Sequence, residues 1–166
     1  MTHTKAMEVI NDELRKVLPG IHLPRIYCVR QSNNKYFSSN FLIAGYYHEL
    51  NKDIHICKDY IEASTKKETL KTYYHEIGHY IHDVYFGYEP QYIPRKHHGD
   101  KDLYCNKNHK ESFAECFADY MMAIRKDKMK KIRKSKRLSK MHSLVQEINQ
   151  RQLDLVFDNL CKSKNN

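Results

Sequence analysis

The chain has 166 residues, which suits a single domain over 1–166 with a buried core. Its mean hydropathy is low (−0.81), and no run approaches the ~18–20 apolar residues of a membrane-spanning helix, so an integral membrane helix is excluded. The net charge of +9 is concentrated: ten of the 29 Lys/Arg lie between Arg125 and Lys140 with one Asp, and outside that segment 19 Lys/Arg face 19 Asp/Glu.

In chain order, Ala6, Met7, Ile10, Leu14, Val17 and Leu18 fall at helical spacing and predict an amphipathic helix over 4–18, stopped by Pro19-Gly20. Ile26 to Val29 reads as a short strand and Ser32-Asn33-Asn34 as a turn. Residues 41–47 and Ile54 to Cys57, joined by a tight connection, predict a hairpin. A helix over about 66–84 follows, then an irregular stretch over 85–105 rich in Tyr, Pro and His. Helical pattern returns over 110–122, and Leu138, Met141, Leu144, Val145, Ile148, Leu153, Val156 and Leu160 mark a C-terminal amphipathic helix.

No apolar leader is visible at the N-terminus, and the five cysteines (Cys28, Cys57, Cys105, Cys116, Cys161) are odd in number with no CxxC pair. The expectation is a cytoplasmic protein whose thiols are reduced and pack as small apolar groups.

The chemistry sits in His75-Glu76-Ile77-Gly78-His79. Histidines four apart share one helix face and could hold one tetrahedral zinc ion. Glu76, beside them, is placed to take a proton from a metal-activated water. Gly78 costs a helix interior ~1 kcal/mol relative to Ala, so its presence calls for a reason, such as the close approach of another backbone. A third ligand is expected from Glu111-Ser112-Phe113-Ala114-Glu115-Cys116-Phe117-Ala118-Asp119, where Glu111, Glu115 and Asp119 lie four apart on one face. Stacked carboxylates repel, unless one binds metal and the next orients a ligand histidine. Spacing leaves two registers open: Glu111 as ligand with Glu115 behind it, or Glu115 with Asp119 behind it. The plain alternative is an ordinary solvated acidic face.

HEIGH followed by Glu-x-Phe-Ala-Glu-x-Phe resembles the catalytic domain of anthrax lethal factor and its relatives, the Pro-Pro endopeptidases. The resemblance covers about 40–160. It implies an α+β zincin-like metallopeptidase, with a small twisted sheet packed on the HEIGH helix and further C-terminal helices. It also implies zinc held by His75, His79 and Glu111, Glu76 as general base, Glu115 orienting a histidine, and Tyr104, seven residues before Glu111, stabilising the oxyanion. The run Glu111 to Ala118 is similar as well to the ImmA/IrrE-type regulatory metallopeptidases, except that Glu115 stands where those have Asn; both resemblances place the third ligand at Glu111. The function expected is zinc-dependent hydrolysis of an internal bond in a protein or peptide. The alternatives are a dedicated regulatory protease and a nucleic-acid-binding protein with a vestigial zinc site.

Other residues carry weaker expectations. Tyr85, Phe86, Tyr88, Tyr92 and Pro94 could wall a substrate cleft, and Ile54 and Ile56 could lie on an edge strand along which a peptide extends. His82 is expected at a polar helix end, and His97, His98 and His109 in solvated loops. The segment 125–140 could meet nucleic acid or an anionic membrane surface, although it lacks the interleaved aromatics of base stacking, and a plain solvated face is the alternative.

Overall fold

In a computed structural model, which describes residues 1–39, 43–94 and 108–163, Thr2 caps helix α1 (His3–Val17) by accepting the Lys5 N–H. Ala6, Ile10 and Leu14 face inward from it at the expected spacing and are buried. Strand β1 (Ile26–Val29) follows. The Asn34 side chain then accepts the N–H groups of Tyr36 and Phe37, starting the short helix α2 (Lys35–Ser39).

The expected hairpin is present as β2 (Gly45–His48) and β3 (Asp53–Cys57), paired antiparallel with Gly45 opposite Ile56 and Tyr47 opposite Ile54. Among the described residues its first strand starts at Gly45; residues 41 and 42 of the expected strand lie outside them. β1 adds in parallel to the other side of β3, so the strand order is β1-β3-β2. This corrects one expectation: β3 is the central strand, and Ile54 and Ile56 are fully buried in the core rather than presented to a peptide. The strand bordering the cleft described below is β2.

Helix α3 (Lys58–Ala63) leads to α4 (Lys66–Phe86), which opens on a capping box: Thr65 accepts the Glu68 N–H while the Glu68 carboxylate accepts the Thr65 N–H. Helix α5 (His109–Ile124) is capped by Asn108, whose side chain accepts the Glu111 N–H at 2.9 Å. The short α6 (Met129–Lys134) and the long α7 (Lys136–Ser163) complete the described chain. The fold is α+β: a small three-stranded sheet and α5 both pack on α4, and α6 and α7 pack on α5. The buried apolar cluster runs from Ala6 and Ile10 through Ile54, Tyr73, Ile77, Phe113, Phe117 and Met121 to Ile148. No described helix is long and apolar enough to cross a membrane.

α4 and α5 run antiparallel, and Gly78 sets how close they come. A Cβ built there would lie 2.8 Å from Ala114 Cα and 3.1 Å from its carbonyl oxygen, inside the contact limit of backbone atoms that cannot swing away. Alanine normally gains ~1 kcal/mol over glycine inside a helix, but forcing two packed helices apart costs ~1–3 kcal/mol. Gly78→Ala is therefore expected to lower stability by ~1–2 kcal/mol, read as a lower urea midpoint at unchanged slope; a raised midpoint would disprove the packing argument.

His82 is not at a polar helix end. It is fully buried, stacked on Phe113 with ring centroids 4.4 Å apart, and its Nε2–H donates to the Glu89 carbonyl at 2.9 Å. Nδ1 has no partner among the described residues, so a second ring proton would have no acceptor. Burial accordingly pushes the imidazole down to about 4. As pH falls below ~6.5, unfolded chains take up a proton that the folded chain refuses, and stability is lost until the folded ring titrates near 4. Between neutral pH and the low end of that window, wild type should lose ~2 kcal/mol more than His82→Phe. Urea titrations of both proteins across that range check it; equal losses would place the ring in contact with solvent.

Candidate metal centre

The packing at Gly78 and Ala114 carries the first turn of α5 over one face of α4. There the Nε2 atoms of His75 and His79 lie 3.2 Å apart. Glu111 reaches both rings, with Oε2 3.2 Å from His75 Nε2 and Oε1 3.5 Å from His79 Nε2. One donor atom from each of the three residues lies within 4.8 Å of the other two, a set that could hold a metal ion. With zinc–ligand bonds of about 2.0–2.1 Å, two corners of a tetrahedron are about 3.3 Å apart, the spacing seen between the two imidazole nitrogens. Glu111 Oε2 is buried and, facing the His75 ring, accepts no well-aligned hydrogen bond among the described residues, a placement that favours a cation beside it. The donor set fits a metal.

Glu115 stands one turn behind. Its Oε2 faces His75 Nδ1 at 3.6 Å, an electrostatic contact longer than a hydrogen bond. Its Oε1 accepts a 2.6 Å hydrogen bond from Lys71 Nζ, which also lies 3.7 Å from Asp119. A proton on Nδ1 is favoured by that carboxylate, which would leave Nε2 to give its lone pair to a metal ion. Electrostatics in the metal-free chain follow the same contacts. Burial works against a charged His75, but the carboxylates of Glu111 and Glu115 outweigh it and raise the imidazole to about 10. Burial likewise works against ionised Glu111, and the two imidazoles outweigh it, lowering the carboxyl to about 2. Lys71 was legible as the residue one helical turn before His75, but spacing alone does not mark a lysine there as the partner of an acid on another helix.

Glu76 is buried and borders the same cleft as the two imidazoles. Burial raises its carboxyl above the usual carboxylate range, opposed by the imidazoles of His75 and His79 and by a hydrogen bond from the Tyr47 backbone. The strand reaches it because residue 45 is glycine. A Cβ there would meet Glu76 Cγ at 3.1 Å and Ile56 Cδ1 at 2.9 Å. Tyr47 fixes the strand against α4, its hydroxyl donating to Asp83 at 2.7 Å, and Lys52 pairs with the same carboxylate.

These groups line a cleft of about 830 Å³, bordered by Tyr46 and Tyr47 of β2, by Thr72 and Lys71 of α4, and by Tyr88 and Lys110. Of the expected aromatic wall, Tyr88 borders the cleft, its ring covered by Lys110 Nζ at 3.7 Å from the centroid. Tyr85 and Phe86 instead belong to the last turn of α4 and pack on the core. Tyr92 is 80% exposed and does not line the cleft, a further correction: after Gly87 turns the chain, its side chain points to solvent. His109 is the first residue of α5 and its Nε2 bonds the Tyr88 carbonyl at 3.0 Å, so it is a structural contact rather than a loop side chain. Tyr104, His97, His98 and Cys105 lie outside the described residues.

No family model, curated protein or solved structure matches the chain.

Proposed function

We propose that this chain is a zinc-dependent metalloendopeptidase, with His75, His79 and Glu111 as the ligands. The observation that carries the reading is the convergence of three donor atoms beside a buried carboxylate, in a cleft large enough for an extended peptide segment. When bound there, zinc acts as a Lewis acid and lowers the pKa of a coordinated water to ~7.

The chain's own residues do the rest. His75, His79 and Glu111 supply a neutral–neutral–anionic donor set, and Glu115, held by Lys71, orients His75. Glu76 takes a proton from the attacking water and returns it to the leaving amine. Its raised carboxyl pKa suits both transfers. β2 takes the role first expected of β3: its outer edge borders the cleft, and an extended substrate backbone could pair with it. The resemblance assigns the oxyanion to Tyr104.

The test is a diverse peptide pool incubated with the purified protein and resolved by mass spectrometry, with metal content measured in parallel. One zinc per chain, cleavage at internal bonds, loss of cleavage on chelation and its return with added zinc are the expected results. A chain that takes up no zinc sinks the proposal. Zinc uptake with no peptide cut would favour a single dedicated protein substrate, as in the ImmA/IrrE-type reading.

A further inference from the structure

The metal centre leaves the chain's most uneven feature unused. Of the ten cations between Arg125 and Lys140, the structure commits two to the fold. Arg125 pairs with Glu13 of α1. Arg137 is buried, donating at 3.1 Å to the carbonyls of Pro94 and Ser112. The stretch is thus not simply a solvated face.

Of the other eight, Lys140 is half-buried and the rest behave differently. Every Lys and Arg from Lys126 to Lys136 is exposed, seven in all, and none is ion-paired with a described residue. Ile132, fully buried, and Met129, partly buried, anchor α6 on the core, so the helix turns its apolar side chains inward and its cations outward. Lys128, Lys130, Lys131 and Lys134 border a shallow depression of about 580 Å³ shared with Asp127, the one acid of the segment. The next helix adds to the imbalance: α7 opens with Lys136 and has no acid in its first turn, although that end of a helix favours negative charge. Seven like charges within eleven residues repel one another, with Asp127 the one acid in their own segment.

We infer that the α6 surface binds the phosphate backbone of nucleic acid, without reading its sequence. Duplex DNA carries one charge per ~1.7 Å of axis, so a six-residue helix of ~9 Å length faces several phosphates at once. No aromatic side chain lies between Lys126 and Lys136 to stack on bases. A membrane fits less well, because the segment presents no exposed large apolar side chain for insertion; the nearest in sequence among the described residues are Tyr92 and Leu153. This surface is independent of the metal centre.

The experiment is fluorescence anisotropy of the full chain with a labelled mixed-sequence duplex of about 20 base pairs. Affinity should fall ~250-fold between ~50 and ~200 mM salt, a log–log slope of about −4. The triple variant Lys130→Glu/Lys131→Glu/Lys134→Glu should bind ~100-fold more weakly with a slope shallower by about 3. Lys16→Glu/Lys35→Glu/Lys66→Glu changes the net charge equally at exposed sites elsewhere and should bind within a few-fold of wild type. Absence of duplex binding by wild type at low salt overturns the inference, as does equal weakening by both triple variants. Sedimentation with vesicles of about 30% phosphatidylserine provides the other arm: capture by vesicles without duplex binding would assign the surface to membranes instead. The wild-type salt slope stands as a readout even where a variant fails to fold.

Discussion

Glu76→Gln is expected to keep one zinc per chain and to lose peptide hydrolysis by ~10²–10⁴-fold, the range that a positioned general base contributes. The change is nearly isosteric. The glutamine carbonyl can still accept the Tyr47 N–H, and the side-chain methylenes still lie against Gly45. The glutamine has no basic oxygen, so the proton of the attacking water has nowhere to go. Glu76 is not among the three converging donors, so metal content by mass spectrometry should be unchanged. Burial raises the Glu76 carboxyl despite the neighbouring imidazoles, so the neutral amide should also be at least as resistant to urea as wild type. The combination of retained zinc, retained stability and lost cleavage separates a base from a structural residue. Cleavage at the wild-type rate would remove Glu76 from the mechanism and leave the cleft without a described base.

Much of this site was legible because its information is local. The two histidines and Glu76 occupy five consecutive residues, and helix geometry alone sets their directions. The α4 boundaries were close to readable as well: a helix expected over about 66–84 is observed as Lys66–Phe86. Gly78 could be flagged as needing a close neighbour, and Ala114 is that neighbour.

What stayed hidden depends on partners distant in sequence. β3 could not be recognised as central, because its parallel partner β1 lies well before the hairpin and no turn announces the pairing. Helices α2, α3 and α6 have five or six residues each, too few for a periodic signal. Spacing could not separate Tyr88 from Tyr92: one borders the cleft and the other points outward because of the chain reversal at Gly87. His82 read as polar because histidine is polar. Its burial follows from Phe113, which arrives on the other helix.

Removing Glu111 is expected to weaken zinc more than any other carboxylate substitution on α5. Three acids share its face and spacing does not rank them, but their distances to the imidazoles do. Glu111 lies 3.2 Å and 3.5 Å from the two Nε2 atoms that face each other. Glu115 approaches only the far nitrogen of His75, at 3.6 Å, and Asp119 reaches Lys71 at 3.7 Å. Residues that orient a ligand from behind typically change metal affinity by ~10–100-fold, so Glu115→Ala should fall in that range. Glu111→Ala deletes a donor outright and should exceed ~100-fold. Asp119→Ala should stay within a few-fold of wild type, because Lys71 retains its stronger contact with Glu115. Competition with a chelator of known zinc affinity orders the three variants without requiring activity, and urea titrations of the metal-free proteins show whether each still folds. If Glu115→Ala loses zinc more completely than Glu111→Ala, the metal sits one turn further along α5 than the side-chain geometry places it, with Asp119 behind it.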